Sequence, residues 1–164
     1  PNGAGPVCRA SGNYPGKTHL DKYRHKAGPL MAANPRKRPR HIEAEHGRAL
    51  VSWWETACKR WGLTPNDLVH VPNGGARNPR AGALLKAEGV RAGYPDYVLD
   101  VANGGYHGLR LELKPPQGDA PRGNQLEHLE RLEKRGFCVR IAYGRQQALQ
   151  QITEYLTGVG PAGP

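Results

Sequence analysis

The sequence predicts an α/β fold, a mixed central β-sheet flanked by helices. Three observations support this prediction. Helical and strand-type apolar patterns alternate along residues 42–157 in the order helix, strand, helix, strand, strand, helix, strand, helix. An Asn-Gly-Gly turn at residues 103–105 joins two of the strands into a hairpin. The chain has 164 residues, which leaves room for one domain of ordinary size.

Four segments carry the spacing of amphipathic helices. In residues 42–61 the apolar side chains recur at intervals of three and four, and Gly62 is placed to end the helix. A short second helix is predicted for residues 79–86, with Pro79 in its first turn. Leucines at 126, 129 and 132 predict a helix over residues 124–135, and the last helix is expected over residues 146–156.

Four segments are predicted to be strands: residues 68–71, 97–102, 106–114 and 137–143. The third strand has the clearest pattern. Its leucines at 109, 111 and 113 face one side of the sheet, and Arg110, Glu112 and Lys114 face the other. Two prolines directly after Lys114 end it, because proline cannot donate to a strand ladder.

Charge divides the chain into an arm and a domain. Residues 1–41 hold nine Lys or Arg and one acid, Asp21, together with eleven Gly or Pro. This composition is typical of a basic disordered arm, whose natural partner is a polyanion. Residues 42–157 form the predicted folded domain, and residues 158–164 are expected to be a flexible tail.

The single methionine, Met31, is a plausible start, so residues 1–30 are expected to be dispensable.

Cysteine usage and hydropathy predict an intracellular, cytoplasmic protein. The cysteines at 8, 58 and 138 are odd in number and form no CxxC pair, so neither a disulfide framework nor a zinc site is indicated. No apolar run approaches the ~18 residues of a membrane span, and a signal-peptide pattern is lacking. No membrane association is expected.

One group of residues indicates chemistry. Strand periodicity places Glu112 and Lys114 on one face, and the hairpin folds Asp96 beside them. Two carboxylates and an ammonium would then converge, an arrangement suited to a hard divalent cation and an attacking water. The alternative is an ordinary polar strand face, because Glu-x-Lys occurs often by chance and Pro-Asp is a common turn dipeptide.

The surrounding sequence resembles the VRR-NUC family of the PD-(D/E)XK nuclease superfamily. The resemblance covers about residues 41–157 and rests on Val71-Pro72-Asn73-Gly74-Gly75, on residues 85–96 ending in Gly93-Tyr94-Pro95-Asp96, on residues 105–114 and on Gln125. The chain is most similar to the compact stand-alone members of bacteria and phages. The resemblance implies a restriction-endonuclease-like core and a divalent-metal-dependent DNA endonuclease that acts on branched DNA such as four-way junctions, homodimeric in several members.

The resemblance also implies roles for particular residues. Asp96, Glu112 and the backbone carbonyl of Leu113 would bind Mg²⁺, for which Mn²⁺ would substitute. Lys114 would serve the attacking water, and Gln125 would support Lys114 or that water. A Glu on the first helix often completes the site, and the candidates here are Glu43 and Glu45.

The first helix departs from the family pattern. The family usually has Gln there, before a basic residue, Ala and an aliphatic residue, whereas this chain has Gly47-Arg48-Ala49-Leu50. Because of this difference, a non-catalytic DNA-binding module that keeps the fold stays open as the alternative function. For Glu43 and Glu45, a solvated first turn favoured by the helix dipole is the alternative to metal contact.

A cluster of basic residues could grip the phosphates of DNA. These residues surround a glycine-rich turn and the short second helix, and they are Arg77, Arg80, Lys86 and Arg91. Solvated surface charge is the alternative interpretation.

Overall fold

The described residues of the chain, in a computed structural model, are Leu20 and residues 41–72, 79–121 and 123–158. They form four α-helices and four β-strands. The helices are α1 (His41–Ala57), α2 (Pro79–Ala87), α3 (Asn124–Glu133) and α4 (Arg145–Thr157). The strands are β1 (Leu68–His70), β2 (Tyr97–Leu99), β3 (Leu109–Lys114) and β4 (Cys138–Tyr143).

The strands form one mixed sheet in the order β1-β2-β3-β4, which confirms the predicted fold class. β1 and β2 are antiparallel, β2 and β3 are antiparallel, and β3 and β4 are parallel. The β2–β3 ladder is shorter than predicted, since beyond Leu99 only an isolated bridge joins Asn103 to Tyr106. The Asn103 amide instead donates to the Leu156 carbonyl at the end of α4 (3.1 Å), which ties the hairpin to that helix.

α1 also ends earlier than predicted. It changes at Cys58 into a 3₁₀ turn over Cys58–Trp61, and Gly62 follows in the left-handed conformation that the sequence predicts there. This turn brings three indole rings together, with centroids 6.2 to 6.4 Å apart, on Trp53, Trp54 and Trp61. The Trp54 indole also donates to the Pro65 carbonyl (3.1 Å), so the cluster holds the chain that leads into β1.

Apolar residues are buried on both faces of the sheet. On one face the three leucines of β3 pack with Leu50 and Trp54 of α1 and with α4, as their alternation predicts. On the other face Val139 and Ile141 of β4 pack with two leucines of α3. Arg110 and Glu112 of β3 are buried as well, at 6% and 1% exposure. Their face of the sheet is therefore covered, and any charge on it lies out of water.

Leu20 belongs to the second of these clusters. Its side chain is fully buried against Leu129, Leu132, Val139 and Ile141. It lies within residues 1–41, which composition predicts to be a disordered arm, and for that segment as a whole this stays a prediction. The rest of residues 1–40 lies outside the described residues, as do residues 159–164 of the predicted tail.

Among the residues that the structure describes, no helix has both the length and the apolar character needed to cross a membrane.

Candidate active site

The two carboxylates that the sequence singles out lie at one end of the sheet, where β2 begins and β3 ends. Tyr97 pairs with Leu111, and continuing this register by one residue places Asp96 directly opposite Glu112. The Asp96 Oδ2 atom accepts a hydrogen bond from the Leu113 backbone N–H (2.9 Å). The predicted convergence of Asp96 with the Glu112 strand is therefore present, and a backbone donor holds it in place.

Glu112, Lys114 and Gln125 form a closed triangle of polar contacts. The Lys114 ammonium lies 2.7 Å from Glu112 Oε1 and donates to Gln125 Oε1 (3.0 Å). The Gln125 amide nitrogen in turn donates to Glu112 Oε1. Each side chain is thus oriented by the other two, and the conformation of Lys114 is fixed before any substrate arrives.

Gly93 allows α3 to bring Gln125 to this position. It has a φ of +86°, and a Cβ atom there would lie 2.8 Å from the Gln125 nitrogen and from the Asn124 carbonyl carbon. Only a glycine permits both this backbone conformation and this close approach. The segment that leads to Asp96 therefore passes directly against the first turn of α3, which carries Gln125.

The carboxylates are held in an environment that disfavours their charge. Burial is the main cause that raises the pKa of Glu112 from its ordinary value of 4.5 to about 7. The negative charge of Asp96 adds to this effect, and Lys114 opposes it without overcoming it. Burial likewise raises the pKa of Asp96, while its hydrogen bond from Leu113 acts in the opposite direction.

The Leu113 carbonyl faces Asp96. The Gly144 N–H donates to the Lys114 carbonyl (2.8 Å), which therefore points toward β4. Successive carbonyls of a strand point to opposite sides, so that of Leu113 points toward β2. The Leu113 N–H, which contacts Asp96, lies on that same side. A carboxylate of Asp96 and a backbone oxygen of Leu113 thus share one side of β3.

A cleft of about 1230 Å³ opens next to these groups. One wall is a stripe of α1 between residues 43 and 56, and the opposite side is formed by His70, Pro72, Asp96, Tyr97 and Leu113. Asp96 and Leu113 line the cleft, whereas Glu112, Lys114 and Gln125 are not among its lining residues.

Glu43 and Glu45 differ in their relation to this cleft. Glu43 lines it, and its charge contributes to raising the pKa of both Asp96 and Glu112. Glu45 is exposed two residues later, about 200° around the helix. Of the two candidates, Glu43 is the one that the fold directs toward the carboxylates.

One of three comparisons with known proteins found a match. No family model matches the chain, and no curated protein matches it. Among solved structures, a VRR-NUC domain protein matches with a TM-score of 0.62 and 30% sequence identity, over 71% of this chain and 88% of that chain. The chain belongs to the VRR-NUC family. Membership supports a nuclease-type function for this VRR-NUC protein.

The residues of this VRR-NUC site fit a hard divalent cation. Glu112 Oε2 is buried and has no hydrogen-bond partner, which is costly unless another group satisfies it. Within the described ranges no three His, Cys, Asp or Glu side chains gather as a metal-binding group. Two carboxylates and one carbonyl nevertheless suffice for Mg²⁺, which usually takes one or two carboxylates and keeps several waters.

We expect the metal-free protein to lose stability as the pH rises through the range from about 4.5 to 7. The folded state retains the Glu112 proton up to about pH 7, whereas the unfolded chain loses it near pH 4.5. Urea unfolding in EDTA at pH 5 and pH 8 should show a loss of about 1 to 3 kcal/mol, most of which Glu112→Gln removes.

Glu127→Gln, at an exposed position of α3, is the matched control and should keep the wild-type pH dependence. Added Mg²⁺ should raise the melting temperature of the wild type at pH 8 more than that of Glu112→Gln. Equal pH dependence in the wild type and Glu112→Gln would contradict the assigned burial of this carboxylate.

The structure gives a reason for the glycine at position 47, where the first helix of this VRR-NUC chain departs from the family pattern. Gly47 is buried, and a Cβ atom at this position would lie only 2.6 Å from the Tyr97 hydroxyl oxygen. Tyr97 is itself 4% exposed. The space that a side chain at position 47 would need is therefore filled by the end of a tyrosine ring from β2.

We expect Gly47→Ala to destabilise the protein by about 1 to 3 kcal/mol, because the added methyl group overlaps the hydroxyl oxygen of the buried Tyr97 side chain. Tyr97→Phe removes the overlapping oxygen, so the double variant Gly47→Ala/Tyr97→Phe should regain most of the loss. Thermal unfolding of the two single variants and the double variant measures this coupling. Additive effects would contradict the contact.

The predicted phosphate-binding residues are only partly described. Arg80, Lys86 and Arg91 are exposed, and Arg77 lies outside the described residues. The Arg91 guanidinium donates to the Lys86 carbonyl (3.1 Å). Arg91 thus has a structural role at the C-terminal end of α2, which the sequence interpretation did not include.

Among the cleft residues that the sequence interpretation did not select are His70 and Tyr97. They pair across β1 and β2, and their rings lie 5.1 Å apart. The available signal was the position of His70, near the end of a predicted strand just before the Pro72-Asn73-Gly74-Gly75 turn.

Proposed function

We propose that this protein is a Mg²⁺-dependent deoxyribonuclease that hydrolyses phosphodiester bonds in branched DNA, for which Mn²⁺ would substitute. The observation that carries the proposal is the convergence of Asp96, the Leu113 carbonyl and the Glu112–Lys114–Gln125 triangle beside an open cleft. Asp96, Glu112 and the Leu113 carbonyl would hold the cation, with Glu43 directed toward them from α1. A DNA substrate also agrees with an intracellular, cytoplasmic location.

Side chains of the protein would position the attacking water and the DNA. A bound divalent cation would stabilise charge on the phosphoryl oxygens and favour ionisation of the attacking water. Lys114 would hold that water by hydrogen bonds, and its contacts with Glu112 and Gln125, which orient its ammonium, support this role. Gln125 acts through Lys114 and is a positioning residue. A DNA strand in the cleft would pass Asp96, and the exposed Arg80 and Lys86 would contact its phosphates.

Plasmid nicking tests the chemistry. We expect the purified protein to convert supercoiled DNA to open circles in Mg²⁺ or Mn²⁺ and to be inactive in EDTA. A non-catalytic DNA-binding module, the competing function, would shift DNA in a gel under both conditions and cut it in neither. That result would contradict a nuclease and favour the binding module.

We further propose that two copies act together on branched DNA. A single site of this kind handles one phosphodiester at a time. Paired cuts in two strands related by a two-fold axis therefore require two sites, and two-fold dimers are the commonest closed assembly. Light scattering at micromolar concentration, with and without a four-way junction, should give the mass of a dimer. A monomer in both cases would contradict paired cleavage, and a dimer that only nicks flaps would contradict junction resolution.

A further inference from the structure

We propose that His70 is a further catalytic residue, whose imidazole N–H donates a hydrogen bond to the leaving oxygen of the phosphodiester. This inference rests on the proposed nuclease function. It assigns a role to a cleft side chain that belongs neither to the proposed metal-binding groups nor to the Glu112–Lys114–Gln125 triangle.

The position of His70 follows from the register of the sheet. His70 pairs with Tyr97, and the next residue, Val71, donates its N–H to the Asp96 carbonyl (2.8 Å). The backbone of β1 is therefore held directly beside Asp96. The His70 ring packs against the Tyr97 ring with 5.1 Å between centroids, while the residue stays exposed in the cleft. The Tyr97 ring thus packs against one side of the imidazole, and the imidazole remains accessible to a strand of DNA.

The order of the strands then determines which side of the phosphate His70 would face. Asp96 stands at the start of β2, with β3 and Lys114 on one side and β1 and His70 on the other. In phosphoryl transfer the attacking and leaving oxygens lie roughly in line on opposite sides of phosphorus. Because Lys114 is placed to hold the attacking water on the β3 side, the leaving oxygen lies on the β1 side, where His70 is exposed.

The charges around His70 are consistent with this role. The carboxylates that line the cleft with it are Glu43, Glu55 and Asp96, and His70 is one of the groups that favour the ionised form of Asp96. Within the described part of the cleft, the other side chains on the β1 and β2 side are Pro72 and Tyr97, together with Asp96 itself. Among these, His70 is the group best suited to donate to a developing alkoxide.

The chemical step balances without any additional reagent. A water oxygen forms the new bond to phosphorus and releases its proton to solvent. The bond from phosphorus to the leaving oxygen breaks, and that oxygen keeps the electron pair and takes a proton from solvent. The imidazole stabilises the negative charge while it develops, and stabilisation of this kind contributes ~10²-fold to the rate.

A bridging-sulfur substrate tests the assignment. Once the products have identified the scissile bond and its leaving oxygen, a DNA with sulfur in place of that oxygen is prepared. A thiolate leaves readily without a hydrogen bond. We therefore expect His70→Ala to slow single-turnover cleavage ~10²-fold on the oxygen substrate and less than ~5-fold on the sulfur substrate. His70→Gln keeps an N–H donor and should regain part of the rate.

Two controls keep the outcomes distinct. His107→Ala changes an exposed histidine just before the start of β3, at the opposite end of that strand, and should leave both rates unchanged. DNA affinity measured in Ca²⁺ should be the same for His70→Ala and the wild type. Equal rate losses of His70→Ala on the two substrates, or a loss explained by weaker DNA binding, would overturn the role of His70. A wild type that cuts neither substrate in Mg²⁺ would instead overturn the nuclease function.

Discussion

Glu112→Gln is expected to lower the cleavage rate by at least ~10³-fold while the protein stays folded and binds DNA normally. The change removes a negative charge from the proposed cation site but keeps the volume of the side chain and its hydrogen bond with Gln125. Asp96→Asn should behave alike, because its remaining oxygen still accepts from the Leu113 N–H. Single-turnover cleavage in Mg²⁺, with DNA affinity measured in EDTA, checks both variants.

Lys114→Ala is expected to lower the cleavage rate as much as Glu112→Gln does, and it should also destabilise the protein. It leaves Glu112, 1% exposed, without its cation. Removing one partner of a buried pair is strongly destabilising, unless the remaining group becomes neutral. We therefore expect the melting temperature of Lys114→Ala to fall at pH 8 and to recover toward pH 6, where Glu112 binds a proton.

Matched variants on the exposed surface of the same domain control for the chemistry of these substitutions. Glu127→Gln and Lys134→Ala make the same type of change at exposed positions and should cut DNA at the wild-type rate. Wild-type cleavage by Glu112→Gln or Lys114→Ala would show that the active site lies elsewhere.

Leu20→Ala is expected to destabilise the protein by about 2 to 4 kcal/mol, as for other fully buried leucines. Its side chain completes the cluster on the α3 face of the sheet, where it contacts β4 residues next to the Glu112 strand. Chemical unfolding of Leu20→Ala and of Leu84→Ala gives the comparison. Leu84 is 62% exposed, so the same substitution there should cost less than about 0.5 kcal/mol.

Truncations extend this prediction to the proposed arm. Removing residues 1–30 deletes Leu20, whereas removing residues 1–18 retains it. We expect the longer deletion to lower the melting temperature and the shorter one to leave it unchanged. Equal stability of the two truncations would show that Leu20 contributes nothing and would restore the expectation that residues 1–30 are dispensable.

The charge of the arm can be tested separately from Leu20. Replacing Arg36, Lys37, Arg38 and Arg40 by Gln removes four positive charges and leaves Leu20 in place. If the arm binds DNA, the slope of log K against log salt should flatten by ~0.9 for each phosphate that the arm no longer neutralises, with no change in stability. An unchanged slope would show that these residues do not touch DNA.

The local sequence determined two kinds of feature: the side-chain alternation along a strand, and the pairing of strands that a short turn joins. The alternation of leucines with Arg110, Glu112 and Lys114 follows from the two-residue period of a strand, and it placed the carboxylate and the ammonium on one face. The Asn103-Gly104-Gly105 turn was enough to bring Asp96 back beside Glu112, because hairpin partners are close in sequence. The family resemblance, which also rests on residues 71–75 and on Gln125, pointed to the same three residues and to Gln125.

Only the tertiary structure decided how distant side chains reach the site and the core. Gln125 reaches Glu112 because Gly93 lets α3 approach, Tyr97 fills the space beside Gly47, and His70 enters the cleft through the β1 register. Leu20 is buried although its neighbours in sequence are basic or polar. Each of these contacts joins elements that are not part of one hairpin or one helix. No periodic pattern records such a pairing, since it depends on how the packed elements fill the space between them.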